Sequence, residues 1–341
     1  MSKLMLITDA WHPQINGVVR SLALTIEELV KHGIRVEVLS PEGHFTSPCP
    51  TYPESRLSWA GLSSVRQRLE DSGANFFHIA TEGPLGLLAR HALVSSGTPF
   101  TTSYHTRFPE YVSARLPIPE RWSYSLLRRF HNSGNGCMVA TQSLREELRS
   151  RGFENLMPWS RGVDPSMFRP VDPVDLGLPR PIFVYVGRVA VEKNIEAFLN
   201  LDLPGSKLVV GGGPQLEELT GRFPDVTFTG PKLGDDLIAH YCAGDVFVFP
   251  SLTDTFGNVI LEALACGVPV AAYPVTGPKD ILATAKIGAL NEDLRTACLT
   301  AASLSGKDCR DFALDFTWEK CSRQFLDNVI AAHQNVALKA A

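Results

Sequence analysis

Pro250-Ser251-Leu252-Thr253-Asp254-Thr255-Phe256-Gly257-Asn258-Val259-Ile260-Leu261-Glu262-Ala263-Leu264-Ala265-Cys266-Gly267-Val268-Pro269-Val270 joins the end of one apolar segment to the start of the next. Residues 246–250 and 268–272 have the length and apolar content of buried strands, and residues 259–265 between them are predicted helical. A helical crossover returns the chain to the end of the sheet where it began, so the two strands run parallel. Asp254 falls in the loop behind the first strand, the side on which an open α/β sheet binds ligands. Gly257 and Asn258 bring backbone N–H groups to a helix start, where the dipole favours an anion. Glu262 stands among Ile260, Leu261, Ala263 and Leu264, where a carboxylate is costly without donors. Vicinal ribose hydroxyls would supply them. A capping or ion-paired acid is the alternative.

The same alternation extends outward. Residues 182–186, 207–210 and 226–229 are further predicted strands, with helices over 193–199, 216–222 and 235–242. A last helix is predicted over 318–332. In the first half, strands are predicted at 3–8, 36–40, 76–80, 100–104 and 137–141, with helices over 18–31, 85–94 and 144–151. Between the halves, Pro165, Pro170, Pro173, Pro179 and Pro181 alternate with Asp164, Asp172 and Asp175, which reads as a linker. The fold class is therefore α/β: two doubly wound parallel-sheet domains in series, residues 1–168 and 169–319. Ligands are expected at the carboxyl ends of the strands and in the cleft between domains.

Composition agrees with two domains: 341 residues, 44% hydrophobic and 20% charged, a soluble globular balance that excludes disorder and coiled coil. No apolar run approaches the roughly 20 residues of a membrane-spanning helix. The first nine residues read as a strand, too short for a signal peptide. Seven cysteines, an odd number without a C-x-x-C pair, argue against a disulfide framework or a zinc site and for a reducing cytoplasm. A net charge of -4 excludes a nucleic-acid-coating protein. The balance is +3 over residues 1–170 and -7 over the remainder, so the halves face different surroundings.

Three other constellations follow predicted strands. Ile15-Asn16-Gly17-Val18-Val19-Arg20 places a glycine at a helix start, where backbone can approach a ligand; a simple tight turn reads equally well. Gly187-Arg188-Val189-Ala190-Val191-Glu192-Lys193-Asn194 offers two cations suited to a diphosphate, or two solvated cations with Glu192 as partner. Gly211-Gly212-Gly213-Pro214 is an incomplete dinucleotide fingerprint, with Leu216 in the last glycine's place, and reads by default as a packing turn.

These elements, in this order and over nearly the whole chain, resemble the retaining glycosyltransferases of family 4, which have the GT-B fold. The family's acidic signature is two carboxylates separated by seven residues; here the first is Asp254 instead of Glu, and the spacing to Glu262 is kept. Three segments look like a subgroup containing sulfoquinovosyl-, glucuronosyl- and glucosyl-diacylglycerol synthases, with mannosyltransferases close by. They are residues 13–22, Ser103-Tyr104-His105-Thr106-Arg107-Phe108-Pro109-Glu110-Tyr111, and Trp159-Ser160-Arg161-Gly162-Val163-Asp164.

The resemblance implies a nucleotide-diphosphate sugar held by the second domain and an acceptor by the first. Arg188 and Lys193 would hold the diphosphate, and Glu262 the ribose. Asp254 with the backbone at Phe256, Gly257, Asn258 and Val259 would hold the sugar. The base would sit near Lys232 and Leu233. His105 and Gly17 would complete the site from the first domain, and residues 320–341 would pack back onto that domain. Without a D-x-D pair, the cations would replace a divalent metal, so no metal or other cofactor is expected.

For the acceptor, residues 119–130 read as a helix with Trp122, Leu126 and Phe130 on one stripe and Arg121, Arg128 and Arg129 beside it; Arg107 and Arg115 lie upstream. Such a helix can lie on an anionic membrane surface, and a core-facing stripe with solvated arginines is the other reading. Together with the subgroup resemblance, this leads to the expectation of a cytoplasmic enzyme peripheral on the membrane. It would move a hexosyl or hexuronosyl unit from a UDP-sugar to a lipid such as diacylglycerol. The alternatives are a GDP-mannose-dependent mannosyltransferase and a nucleotide-sugar-binding protein without turnover.

Overall fold

The structure is a computed structural model and describes residues 2–14, 16–49, 52–113, 117–283 and 286–340. Ile15 and Arg115 lie outside the described residues. The chain divides into two compact units, Met1–Ser160 with Trp318–Ala341, and Arg161–Thr317.

The first unit opens with β1 (Lys3–Ile7), α1 (Gly17–Lys31) and β2 (Arg35–Leu39). The hairpin β3 (Thr46–Cys49) and β4 (Tyr52–Ser58) follows, then α2 (Leu62–Asp71), β5 (Phe76–Ile79), α3 (Pro84–Ser96) and β6 (Thr101–Tyr104). Next come α4 (Phe108–Ser113), α5 (Glu120–His131), β7 (Gly136–Val139), α6 (Gln142–Ser150) and β8 (Leu156–Pro158). The sheet order is β2-β1-β5-β6-β7-β8, parallel throughout. Leu4 to Ile7 of β1 are all buried, because a parallel strand covered by helices on both faces needs a continuous apolar run.

α1 starts where it does because the Asn16 side chain accepts from Val18 N and Val19 N, each at 3.0 Å. It turns Val19, Leu22 and Leu29 inward. An Asn16→Ala substitution should lower the stability of this unit by about 1 kcal/mol, read as a lower urea midpoint, and Asn16→Asp should restore most of it.

The second unit contains β9 (Ile182–Val186), α7 (Ile195–Leu199), β10 (Ser206–Val210), α8 (Leu216–Arg222), β11 (Thr227–Phe228) and α9 (Gly234–Ala243). It continues with β12 (Val246–Phe249), α10 (Asn258–Ala265), β13 (Val270–Ala272), α11 (Pro278–Leu282), β14 (Gly288–Leu290), α12 (Leu294–Ala301) and α13 (Gly306–Ala313). Its order, β11-β10-β9-β12-β13-β14, is again parallel throughout and reverses between β9 and β12. At such a reversal the loops leave in opposite directions and open a crevice. The core on one face joins Phe183, Tyr185 and Val248 to Phe198, Leu219 and Ala297.

The last helix, α14 (Trp318–Ala340), belongs to the first unit. Its Trp318, Cys321, Phe325 and Val329 are buried with Leu4, Leu6, Leu22 and Trp159. Gln324 Oε1 accepts from Ser160 N at 2.8 Å, and Asn328 donates to Pro158 O at 2.7 Å.

Two expectations change. The helix over 193–199 is interrupted: a 3₁₀ turn, Val191–Lys193, ends in Asn194 at φ 50° before α7 begins. The proline-rich stretch is no loose linker at its start, because Arg310 donates to the carbonyls of Pro165 (2.8 Å), Phe168 and Ala265 (2.9 Å). Val163 N also donates to Phe316 O at 2.8 Å, which fixes this stretch within the second unit.

Candidate donor-sugar site

In the second unit, the loops behind β9 and β12 bring together residues remote in sequence. Lys193 Nζ lies 2.6 Å from Asp254 Oδ2, across 61 positions. Asp254 Oδ1 accepts from Thr255 N at 3.0 Å. Burial alone would raise the Asp254 pKa. The Lys193 charge and the backbone N–H groups of Thr255 and Phe256 outweigh it and hold the carboxyl below the ordinary aspartate value. Asn194, in the left-handed region that asparagine tolerates, donates from Nδ2 to Pro250 O at 3.0 Å and ties the two loops together. Sequence reading had missed Asn194; an asparagine closing a strand-to-helix loop was its only signal.

The triple glycine acts as a packing turn. Gly211 N donates to Gly230 O at 3.0 Å, and Val189 N to Gly212 O at 2.9 Å. A Cβ on Gly211 would lie 1.9 Å from Gly187 O, and one on Gly213 would lie 2.3 Å from Val189 O. Only glycine lets the loops behind β9, β10 and β11 lie flush.

Phe256 is buried, and Gly257 enters α10 at φ 87°, so Asn258 and Val259 form the helix's first turn. Glu262 is buried one turn further on, where the Tyr241 hydroxyl of α9 donates to its Oε2 at 2.9 Å. The protein therefore supplies one of the donors that a buried carboxylate requires. Tyr241 was also missed; its signal was a hydroxyl on the apolar face of a helix. Arg188 is half-buried behind β9, and its carbonyl accepts from the Tyr185 hydroxyl at 2.7 Å.

Lys232 pairs with Asp236 at 3.1 Å beside exposed Leu233, in the loop behind the edge strand β11. Gly17 and His105 belong to the first unit. Gly17 is the exposed first residue of α1. His105 follows β6 with its Nε2 2.8 Å from Ser103 Oγ. Among the described residues, no three His, Cys, Asp or Glu side chains converge in a metal-binding group.

The expected stripe on α5 divides. Phe130 is buried, whereas Trp122 and Leu126 are 63% and 61% exposed. A continuous stripe cannot both face the core and meet water, and the buried edge is Tyr124, Leu127 and Phe130. Arg107 is not a surface cation: it is buried, with Nη1 2.9 Å from Glu110 and Nη2 2.7 Å from Glu147.

Residues 15–167 match the model "Glycosyltransferase Family 4", and residues 180–304 match "Glycosyl transferases group 1". The chain belongs to the family 4 glycosyltransferases. The transferase is 27% identical to a GDP-mannose-dependent alpha-mannosyltransferase of Mycobacterium tuberculosis over 314 residues, 84% of this chain and 83% of that one. It is 31% identical to a sulfoquinovosyl transferase of Arabidopsis thaliana over 261 residues, 70% of this chain and 50% of that one. It is 26% identical to an alpha-monoglucosyldiacylglycerol synthase of Streptococcus pneumoniae over 343 residues, 87% and 77% of the two chains. Among solved structures, a sucrose-phosphate synthase of Thermosynechococcus elongatus superposes with a TM-score of 0.77 at 20% identity, covering 100% of both chains. The fold of the transferase is GT-B.

Proposed function

We propose that the protein transfers a hexosyl or hexuronosyl unit, with retention, from a UDP-sugar to a membrane lipid such as diacylglycerol. The observation that carries donor binding is the meeting of Lys193 and Asp254 at the strand-order reversal, with the start of α10 beside them. Arg188, Lys193 and the N–H groups of α10 stabilise the charge that gathers on the departing diphosphate. In this reading the cations do so without a divalent metal. Asp254 and the backbone of Phe256, Gly257, Asn258 and Val259 hold the sugar hydroxyls, and Glu262 holds the ribose. Lys232 and Leu233 flank the base. Gly17 and His105 serve the transferred sugar. The bond from the anomeric carbon to the diphosphate oxygen breaks while the acceptor oxygen bonds on the same face. The acceptor proton passes to the departing phosphate oxygen.

The lipid acceptor is supported by α5, which exposes Trp122 and Leu126 one turn apart with exposed Arg129 on the same face. Apolar rings can enter the headgroup layer there, and each cation adds about 1 kcal/mol of attraction to an anionic surface. Among the described residues, no helix is long and apolar enough to cross a membrane. Two of the relatives are named for sulfoquinovosyl transfer and glucosyldiacylglycerol synthesis. The second reading, a GDP-mannose-dependent mannosyltransferase, is favoured by the mycobacterial relative, which aligns over 84% of this chain.

A donor panel decides between them: UDP-glucose, UDP-galactose, UDP-glucuronate or GDP-mannose, each with diacylglycerol micelles and with or without EDTA. A lipid that gains hexose or hexuronate mass from a UDP-sugar, unaffected by EDTA, is the expected product. Mannosyl product from GDP-mannose alone overturns the UDP assignment. Loss of product in EDTA overturns metal independence.

A further inference from the structure

In the second unit two cysteines remote in sequence meet. Cys242 is the last residue but one of α9, and Cys266 caps the C-terminus of α10. Cys242 Sγ lies 3.7 Å from Arg169 O and 4.0 Å from Cys266 O, and the two thiols hydrogen-bond to each other. Among the described cysteine side chains Cys242 alone is partly exposed, and Cys266 is buried. Both are joined to the sugar site through one residue. Cys242 follows Tyr241, whose hydroxyl donates to Glu262 Oε2 at 2.9 Å, and Cys266 N donates to Glu262 O at 3.0 Å.

The two sulfurs are unequal. The Cys266 thiol and the Val171 N–H both donate to the Cys242 sulfur, which draws its pKa down to about 7 against the burial that would raise it. Cys266 keeps its proton, because the hydrogen bond to Cys242, burial and the Glu262 carboxylate all push its pKa up. Elsewhere burial pushes Cys298 and Cys309 up to about 12. Cys242 is therefore a sulfur that is both accessible and readily ionised, with a second thiol already in contact. Oxidation of such a sulfur is followed by attack of its neighbour, which condenses the two to a disulfide. In reducing surroundings a pair of this kind rests as two thiols, and the bond between them is transient.

We propose that Cys242 and Cys266 are an oxidation site, closed to a disulfide by hydrogen peroxide, and that the bond loosens the hold of Glu262 on the nucleotide sugar. The second half rests on the assignment of Glu262 to the ribose. In the first step the Cys242 thiolate attacks a peroxide oxygen. An S–O bond forms, the O–O bond breaks, and the other oxygen leaves as hydroxide and is protonated to water. In the second step the Cys266 sulfur attacks the Cys242 sulfur. The S–S bond forms, the S–O bond breaks, and the departing hydroxide takes the Cys266 proton as water. Each sulfur gives up one electron, and the two electrons reduce one peroxide. An S–S bond of about 2 Å is shorter than a thiol hydrogen bond, so closing it draws the ends of α9 and α10 together. Tyr241 moves with α9, and its hydroxyl loses its alignment on Glu262.

The test treats the full chain with hydrogen peroxide, blocks remaining thiols with iodoacetamide, and maps peptides without reduction. The expected product is one peptide pair joined through Cys242 and Cys266, released by dithiothreitol. Cys266→Ser should stop at a Cys242 sulfenic acid, trapped by dimedone, and Cys242→Ser should leave Cys266 a thiol. Calorimetry with UDP-glucose or GDP-mannose, whichever is turned over, should show affinity about tenfold lower in the bridged protein and restored by dithiothreitol. Cys242→Ser should bind like the reduced wild type before and after peroxide. A Cys242 that stays a thiol, or is oxidised while Cys266 remains open to iodoacetamide, overturns the oxidation site. A bridged protein with unchanged affinity overturns the link to the sugar site. The mapping needs no donor, so its failure is distinct from a failure of Glu262 as the ribose ligand, which Glu262→Gln reads in the reduced protein.

Discussion

Lys193→Met should lower kcat/KM for the nucleotide sugar by about 10²–10³-fold, the usual loss when one preorganised group facing a developing anion is removed. Two effects combine in that figure. The departing diphosphate loses a cation, and Asp254 loses the ion partner 2.6 Å from its Oδ2. Asp254 would then be a buried carboxylate that keeps the backbone N–H groups of Thr255 and Phe256 but has lost the lysine charge, against the burial that raises its pKa.

The pH dependence follows in sign. In the wild type the folded-state pKa lies below the ordinary aspartate value of about 3.9. Its contribution to stability is therefore complete above that value and is lost as pH falls through the lower, folded-state pKa. Donor binding should show no acid limb from Asp254 at pH 5 and above. In Lys193→Met the limb should move to higher pH, because the charge that chiefly opposes burial is gone. Titrating donor affinity against pH in both proteins checks this. An identical acid limb in the two would show that the ion pair does not set the ionisation of Asp254.

Much of this was legible in the sequence because the second unit repeats one rule: a short apolar strand, a polar loop and a helix. The run from 250 to 270 carries that rule with both acids in place, and the Asp254-to-Glu262 spacing put them on the loop and in the helix. The three-residue strands β8 and β14 were not legible. Each is too short to show a period and is specified by its neighbours in the sheet, β7 and β13. The hairpin β3–β4 was missed for a different reason: Pro48 and Pro53 sit inside its strands, where proline argues against a central strand and is tolerated in a two-stranded ribbon.

Partners were harder to read than positions. Nothing in the local sequence tells that Arg107 closes on Glu147, 40 residues away, while Arg129 remains exposed. Both lie in basic, aromatic-rich segments. The fold selects the one whose side chain reaches Glu147 on α6. In the same way, helical spacing placed Trp122, Leu126 and Phe130 together, but an apolar face wider than the core contact leaves two of the three outside. The division of that stripe turns a core argument into an argument for a surface.

Glu262→Gln should weaken binding of the nucleotide sugar by about 10–100-fold, with the fold retained. A hydrogen bond to a charged acceptor contributes roughly 1.5–3 kcal/mol, and the amide gives up the charge and half of the accepting capacity. Tyr241 makes the prediction sharper. Its hydroxyl donates to Oε2 at 2.9 Å, so the carboxylate is oriented by the protein before any ribose arrives. Tyr241→Phe removes a neutral hydroxyl that does not itself meet the ligand in this reading, and its effect on affinity should pass through Glu262 alone. In Glu262→Gln the incoming amide can turn its NH₂ towards either Tyr241 or the ribose, so the second substitution should add little to the first. Nucleotide titration calorimetry on the two single variants and the double variant measures the coupling. Additive losses would mean that Tyr241 and Glu262 act independently, and the carboxylate would then owe its orientation to other contacts.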